Sequence, residues 1–399
     1  MTELALLKLN PKADRRLRGG HLWIYSNEVD VNATPLKDFE LGQQVRVETA
    51  QSKALGIAYI NPHNLICGRL VSRDCRCPLD KSLLVHRLKI ALGLRQSMNP
   101  EPFYRLVYGD SDGLPGLVVD RFGDILVVQI TTAGMECLKT EIVEALLQTL
   151  KPSGILLRND GKMRATEGLS SYVEVAYGEV PEWVPMRENG VDFEVPVFEG
   201  QKTGWFYDHR ASRGRLADYV KGKTVLDVFS YIGGWGVQAA ALGADSVLCI
   251  DSSEFALDGV ERNAALNGVA DKVGTMQGNA FEAMKQLVNE GERFDMVIMD
   301  PPAFIPKRKD IKKGEQAYRV VNELAMRLLN KDGILVSASC SMHLQRDKLV
   351  DILRLSSRHL DRQLQILEQG GQTYDHPVHP AIAETDYLKA IFTRLLPVS

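Results

Sequence analysis

The segment that most constrains the fold is Thr224–Gly236, TVLDVFSYIGGWG. Its apolar run, Val225-Leu226-Asp227-Val228-Phe229, has the β-branched and aromatic content of a buried strand. Ser230–Gly236 reads as a glycine-containing turn, and an apolar helix is expected from about Val237. Strand, glycine turn and helix in that order let an open α/β sheet meet a nucleotide. The glycines allow backbone N–H groups to approach the ligand beside a positive helix terminus.

The chain then repeats a pattern of strand followed by polar tip. A strand over Ser246–Ile250 ends at Asp251, where an acid suits both hydroxyls of a ribose. A third, Val273–Gln277, leads to Gly278-Asn279-Ala280, and a fourth, Met296–Met299, to Asp300-Pro301-Pro302. A fifth, Ile334–Ala338, runs into Ser339-Cys340-Ser341. No G-x-G-x-x-G follows the first strand, so the dinucleotide fingerprint is excluded. Asp227-x-Phe229-Ser230-x-x-Gly233-Gly234 with Asp300-Pro-Pro resembles instead the class I S-adenosylmethionine-dependent methyltransferases. That resemblance implies S-adenosyl-L-methionine as cofactor, held by Asp227, Ser230, Gly233, Asp251, Asn279 and Asp300. A sheet that binds nothing needs no polar strand tips.

At 399 residues the chain is long enough for two or three domains. Its 45% hydrophobic and 25% charged content is that of an ordinary soluble protein. No apolar run reaches membrane-span length, and Met1–Asn10 does not read as a signal peptide. Six irregularly spaced cysteines suggest a reduced, cytoplasmic protein. The net charge of −3 argues against wholesale coating of a polyanion but leaves two basic clusters. One is Lys12, Arg15, Arg16 and Arg18; the other is Lys307-Arg308-Lys309 with Lys312-Lys313. Each is a solvated face or a nucleic-acid contact.

Residues 1–80 read as a small β-rich module, 81–190 as a second α/β unit and 191–399 as the unit of the cofactor sheet. In Asp14–Val29, DRRLRGGHLWIYSNEV, arginines lie beside His21, Trp23 and Tyr25. Guanidinium on phosphate and ring on base would suit an RNA-contacting surface. Equally, the rings are core and the arginines solubilise a loop. Cys75-Arg76-Cys77 lacks a second pair, and Tyr108–Gly116 lacks the closing glutamate of a calcium loop, so no metal site is expected. Trp183 and prolines 181, 185 and 196 mark a linker with a short hairpin over Asp192–Val197. Gln201–Arg210 is polar, aromatic and basic. Lys202, Thr203 and Arg210 there contact a ligand carboxylate or amine, or else Asp208 caps a helix and Arg210 sits in an ion pair. Leu364–Leu367 and Leu388–Leu396 should complete the sheet as a terminal antiparallel hairpin, with His376-Pro377-Val378-His379 a turn between them.

Taken in order, Gly20-His21-x-Trp23-x-Tyr25-Ser26, Ser111-Asp112-Gly113-Leu114-Pro115-Gly116, Lys202-Thr203-Gly204, Asp208-x-Arg210, Phe229-Ser230-Tyr231-x-Gly233-Gly234, Asp300-Pro301-Pro302-x-Phe304 and Ser339-Cys340-Ser341 resemble the ribosomal RNA large-subunit methyltransferase I family. The similarity runs nearly end to end. It implies an N-terminal PUA domain, a middle α/β domain and a C-terminal Rossmann-like methyltransferase domain. It also implies methylation of cytosine carbon 5 in 23S ribosomal RNA. Two positions depart from the family's habit: Ala303 stands where Lys is common after Asp-Pro-Pro, and Asn279 where Asp is common. An amide can still meet an adenine edge, so altered affinity is expected and not lost binding.

Carbon 5 of cytosine is a poor nucleophile until a thiolate adds to carbon 6, which requires a cysteine beside the methyl donor. Cys340 fits by position, with Asp300 holding the base by its amino group or ring nitrogen. The base must be turned out of its stack, with Arg15, Arg16, Arg18, His21, Trp23, Lys307 and Arg308 as candidates to hold the RNA. What activates the thiol and what releases the enzyme are left unassigned. No membrane partner is expected, and a homodimer is compatible with the chain. Two other readings stand beside this one: N-methylation of a guanine or adenine amino group with Cys340 incidental, and a non-catalytic RNA-binding assembly factor.

Overall fold

The computed structural model describes residues 4–397. The described residues divide into two compact units: 4–184 with 196–207 and 374–385, and 185–195 with 208–373 and 386–397.

The first unit contains two five-stranded sheets. Strands β1 (Ala5–Lys8), β2 (Trp23–Tyr25), β3 (Gln44–Glu48), β4 (Ala54–Ile60) and β5 (Ile66–Ser72) form one, in the order β1-β3-β4-β5-β2. Alternation along β3 buries Val45 and Val47 with Leu7, Ile24, Ala58 and Leu70. A short helix α1 (Asp14–Arg18) occupies the basic stretch that the sequence left open between an RNA-contacting surface and a solubilising loop. It buries only Leu17. The second sheet holds β6 (Phe103–Tyr108), β7 (Leu117–Phe122), β8 (Ile125–Ile130), β9 (Gly154–Asn159) and β10 (Tyr172–Gly178), in the order β10-β9-β8-β7-β6. Helices α2 (Lys81–Met98) and α4 (Lys139–Leu150), with the short α3 (Ala133–Glu136) before α4 and α5 (Met163–Thr166) after β9, complete it. Asp80 caps α2 by accepting from the Leu83 N–H at 2.9 Å.

The second unit is organised on a seven-stranded sheet. A two-stranded hairpin, β11 (Trp183–Glu188) and β12 (Val191–Pro196), precedes it. The hairpin begins earlier than the prolines suggested, and Trp183 and Pro185 lie inside its first strand. Proline is tolerated because β11 has only one strand neighbour and therefore an unused edge. Helix α6 (Arg210–Gly214) leads to β13 (Thr224–Val228), α7 (Gly236–Ala241), β14 (Ser246–Asp251), α8 (Glu254–Leu266) and β15 (Val273–Gln277). Then follow α9 (Ala280–Glu290), β16 (Phe294–Met299), α10 (Ile311–Arg327), β17 (Leu329–Ser339), α11 (Arg346–His359), β18 (Arg362–Gly370) and β19 (Lys389–Pro397).

The order is β15-β14-β13-β16-β17-β19-β18. The first five strands are parallel, and β19 runs antiparallel between β17 and β18. Strand order therefore reverses between β13 and β16, which opens a crevice at the carboxyl ends of those strands. Leu226, Val228, Val297, Met299 and Leu335 supply the buried centre. Tyr318, Val321 and Ala325 of α10 cover one face, and Met284 and Leu287 of α9 extend it. The α/β class and the terminal antiparallel hairpin agree with the sequence reading. Among the described residues no helix is long and apolar enough to cross a membrane.

Candidate active site

At the tip of β13, Asp227 is fully buried and its Oδ2 accepts the Gly236 N–H at 2.8 Å. Burial pushes its carboxyl up to about 8; the Gly236 hydrogen bond opposes the rise, and the Asp300 and Asp251 charges add to it. The turn it closes passes through the left-handed region at two non-glycine residues, Phe229 (φ 67°) and Tyr231 (φ 49°). Such backbone is costly and persists only where the surroundings over-determine it. Here the N–H groups of Phe229 and Ser230 both donate to the Ile250 carbonyl, at 2.9 and 3.0 Å. Asp251 Oδ2 accepts the Tyr231 N–H at 2.9 Å. Gly233 has φ 84°, and a Cβ there would lie 2.6 Å from Val237 Cγ2, so a side chain at this position would be strained.

The polar groups of this turn are incompletely spent. Ser230 Oγ and Asp227 Oδ1 are buried and make no hydrogen bond. A buried orphan of this kind costs about 1–3 kcal/mol. Two of them around a left-handed turn at a sheet's reversal point fit a site shaped for a polar ligand. On the next strand, Asp251 Oδ1 accepts the Ser253 N–H at 3.0 Å, which fixes the carboxylate's direction. Beyond β15, exposed Asn279 caps α9 through Oδ1, which accepts the Phe281 N–H at 3.0 Å.

Asp300 follows β16 and is held from both sides. His209 Nε2 donates to its Oδ1 at 3.2 Å, and Trp235 Nε1 to its Oδ2 at 3.0 Å. Burial would raise its carboxyl, but the His209 charge and these two ring N–H groups outweigh it and hold the acid below its ordinary value. For His209 the balance is the converse. Burial would lower the imidazole, and the charge and hydrogen bond of Asp300, with Asp208 adding, raise it. Asp300 is therefore a carboxylate fixed in direction, with a lone pair left on each oxygen.

Cys340 follows β17, whose neighbour on one side is β16, so its tip lies about one strand spacing, roughly 4.8 Å, from that of β16. Ser339 and Ser341 on either side are wholly buried and knotted to α10. Ser339 Oγ donates to the Tyr318 hydroxyl at 2.8 Å, and that hydroxyl meets Ser341 Oγ at 2.9 Å. Ser341 Oγ also accepts the Ile305 N–H at 3.2 Å, tying the loop after Asp300-Pro-Pro to the same point. Phe304 packs on Tyr318 with ring centroids 4.9 Å apart. Both serines point inward, and the cysteine between them is partly exposed and not in a disulfide.

The other sequence candidates are placed as follows. Arg210, nearly buried, has Nε 3.6 Å from Glu188 Oε2, and Glu188 also takes Arg213 and Gln238 Nε2. In the first unit, Thr203 donates its hydroxyl to Asp120 at 2.5 Å, and the Lys202 ammonium lies 4.6 Å from the centre of the Phe206 ring. Arg16 is bonded to both Glu28 oxygens and stacks over Tyr25, and Arg18 pairs with Asp14. Trp23 Nε1 donates to Asp110 at 2.9 Å, with His21 edge-on at 5.5 Å. Arg15 is exposed, as are Lys307 and Arg308 in the second unit.

Sequence reasoning missed His209 and Trp235 as partners of Asp300, Tyr318 as the anchor of both serines, and Lys389. Lys389 opens β19 opposite Ser339, and its Nζ donates to the Ser341 carbonyl at 2.7 Å. A signal for His209 was present in Asp208-His209-Arg210, ahead of the sheet. Nothing local marked the others, whose partners lie many residues away.

Comparison with known proteins converges on one family. The sequence model of a PUA-like domain matches residues 7–73, and that of an S-adenosylmethionine-dependent methyltransferase matches 163–389. The chain is 36% identical over 391 residues to ribosomal RNA large subunit methyltransferase I of Vibrio cholerae, covering 96% of this chain and 97% of the relative. It is 35% identical over 389 residues to the protein of that name from Aliivibrio fischeri, with the same coverage. Among solved structures, SMU.776 complexed with SAH superposes with a TM-score of 0.83 at 21% identity, covering 98% of this chain and 100% of that one. A structure of a SAM-dependent methyltransferase from Streptococcus mutans gives 0.82 at 21% identity, covering 98% and 100%. These two likenesses concern the fold. With its left-handed turn, Asp-Pro-Pro tip and reversal point all on one sheet, the chain is an S-adenosylmethionine-dependent methyltransferase and belongs to the ribosomal RNA large subunit methyltransferase I family.

Proposed function

We propose that this protein methylates carbon 5 of a cytosine in 23S ribosomal RNA, in the cytoplasm, with Cys340 as nucleophile. The observation that carries the reading is Cys340 itself, a partly exposed thiol at the strand tip next to a carboxylate held by two ring donors. A merely structural cysteine has no need of flanking serines anchored to a helix, nor of an oriented acid beside it. The named substrate of the relatives, large-subunit ribosomal RNA, supplies the substrate class.

Asp227, Ser230, Gly233, Asp251 and Asn279 hold S-adenosylmethionine, with Arg210 assigned to its polar end. When bound, it supplies an electrophilic methyl group. The thiolate of Cys340 adds to carbon 6 of the base, and the ring π pair moves toward carbon 5, which becomes nucleophilic. Asp300, as a fixed carboxylate, accepts from the exocyclic amino group and keeps the ring oriented during attack. Once carbon 5 has taken the methyl group, its proton passes to a base, and the electron pair of that bond restores the carbon 5–carbon 6 double bond as the thiolate leaves. Arg15, Lys307 and Arg308 provide phosphate contacts, which raise affinity and confer little sequence choice. Arg16, Arg18, His21 and Trp23, tied to their own neighbours, shape the face on which Arg15 stands. Residues 1–80, 81–190 and 191–399 serve as RNA-binding, middle and catalytic domains.

The test is to incubate large-subunit ribosomal RNA lacking the modification with labelled S-adenosylmethionine and identify the methylated nucleoside. The product expected is 5-methylcytidine, with Cys340→Ala reducing the rate at least about a thousandfold, the scale of removing a nucleophile. An N-methylated purine, or an active Cys340→Ala enzyme, would replace this reading with amino-group methylation. Absence of any transfer, with S-adenosylmethionine bound, would point to the assembly-factor alternative.

A further inference from the structure

The activation of Cys340 has a structural candidate in Lys389, an inference that rests on the reading of Cys340 as nucleophile. Lys389 is 5% exposed. Its ammonium donates to two main-chain carbonyls, Ser341 and Tyr387, both at 2.7 Å. Among the described residues no carboxylate lies within 4.0 Å of it to serve as counter-ion. A buried cation is normally paired with an acid or replaced by an apolar residue, because its desolvation is expensive.

The position of this cation is specific. In the antiparallel register of β17 and β19, Lys389 stands opposite Ser339, and its Nζ reaches the carbonyl of Ser341. The residue between those two is Cys340. An ammonium has three N–H donors, and the two carbonyls take two of them. We propose that Lys389 is the positioning residue of Cys340: it anchors the chain where it leaves β17 and places a positive charge that favours the thiolate over the thiol. The thiol proton goes to solvent, and Lys389 remains an ammonium throughout.

The electrostatics agree. Burial brings the Lys389 ammonium down to about 8, Arg346 of α11 lowers it further, and the Cys340 and Asp386 charges oppose that fall. Tyr318 of α10 feels the Cys340 charge as well and is itself raised, chiefly by burial. Cys340, Asp386, Arg346 and Tyr318 are the titratable or charged groups around the Lys389 ammonium, and the Asp300 carboxylate on the neighbouring strand tip opposes the thiolate. Below about pH 8 the ammonium is charged and the thiolate is favoured; above it the charge, and the advantage, fade.

The experiment measures the pH dependence of Cys340 alkylation by iodoacetamide in the full chain, read by mass spectrometry of the Cys340 peptide. No RNA is needed. Lys389→Gln keeps donors for the two carbonyls but removes the charge; its alkylation midpoint should rise by about one pH unit or more. Lys389→Arg should restore most of the shift. Thermal unfolding and S-adenosylmethionine binding verify that the variants are folded. Equal midpoints in the wild-type and Lys389→Gln chains would overturn the proposal. So would a wild-type midpoint at or above that of an ordinary thiol, about 8.5, which requires no variant. The nucleophile reading fails separately: Cys340→Ala would then still give product, whatever the alkylation profile shows.

Discussion

The two basic-aromatic and acidic tip regions of this chain use polar residues in opposite ways. In the first unit, polar side chains that looked like contact residues are consumed internally: Arg16 by Glu28, Arg18 by Asp14, Trp23 by Asp110. Arg95, not a contact candidate, is wholly buried and satisfied in the same way, bidentate to Asp112 at 2.7 Å and donating to the Asp375 carbonyl. At the strand tips of the second unit, buried polar atoms are left without partners, as Ser230 Oγ and Asp227 Oδ1 are, and the backbone is held in the left-handed region. Orphaned atoms alone do not mark a site, since Asn159 Nδ2 and Arg164 Nη2 of the first unit are buried orphans too; at the second unit's tips they coincide with a left-handed turn where strand order reverses.

The contrast predicts that losing a polar group costs stability in the first unit and binding in the second. The largest effect should come from Asp112→Ala, which strands the Arg95 guanidinium. We expect a loss of about 3–5 kcal/mol, measured by denaturant unfolding; a loss under about 1 kcal/mol would break the comparison. At the other pole, Asp251→Ala should weaken S-adenosylmethionine binding by about ten- to a hundredfold by calorimetry, the worth of charge-assisted hydrogen bonds. Its effect on unfolding should be the smaller of the two.

A pH experiment sharpens the same point. Asp227 is raised to about 8 when folded, so it binds a proton that the unfolded chain, with its ordinary value of 3.8, has released. Its contribution to stability is complete below about pH 4 and is lost as pH rises through about 8. His209, also raised, works in the same direction. Asp227→Asn should therefore flatten the fall in unfolding free energy between these limits by about 1 kcal/mol per pH unit. An unchanged slope would mean that Asp227 is charged in the folded protein. The smallest effect is expected at Arg15: Arg15→Ala should leave unfolding within about 0.5 kcal/mol and reduce the salt slope of RNA binding by about one.

How much of this was legible in the sequence follows from the range of each interaction. Strand tips were readable because strand, turn and polar residue are contiguous, as in Val225–Gly236 and Met296–Pro302. Asp227, Asp251, Asp300 and Cys340 were proposed as site residues that way. The partners that give those residues their properties were not contiguous. His209 reaches Asp300 from ahead of the sheet, and Lys389 reaches Ser341 only because β19 inserts between β17 and β18. Local composition was less informative in two places. Asp14–Arg18, left open between an RNA-contacting surface and a solubilising loop, is a short helix that buries Leu17. Pro185 suggested a linker, although a two-stranded hairpin has an edge to spare for it.

The central claim is that Cys340 bonds covalently to carbon 6 of the base. RNA carrying 5-fluorocytidine tests it directly, because fluorine at carbon 5 cannot leave as a proton does and the adduct is trapped. The account predicts a denaturation-resistant protein–RNA complex that requires S-adenosylmethionine, with the nucleotide mapped to the Cys340 peptide and absent from Cys340→Ala. Ready turnover of unsubstituted RNA to a methylated product, with no trapped complex from the fluorinated RNA, would contradict it.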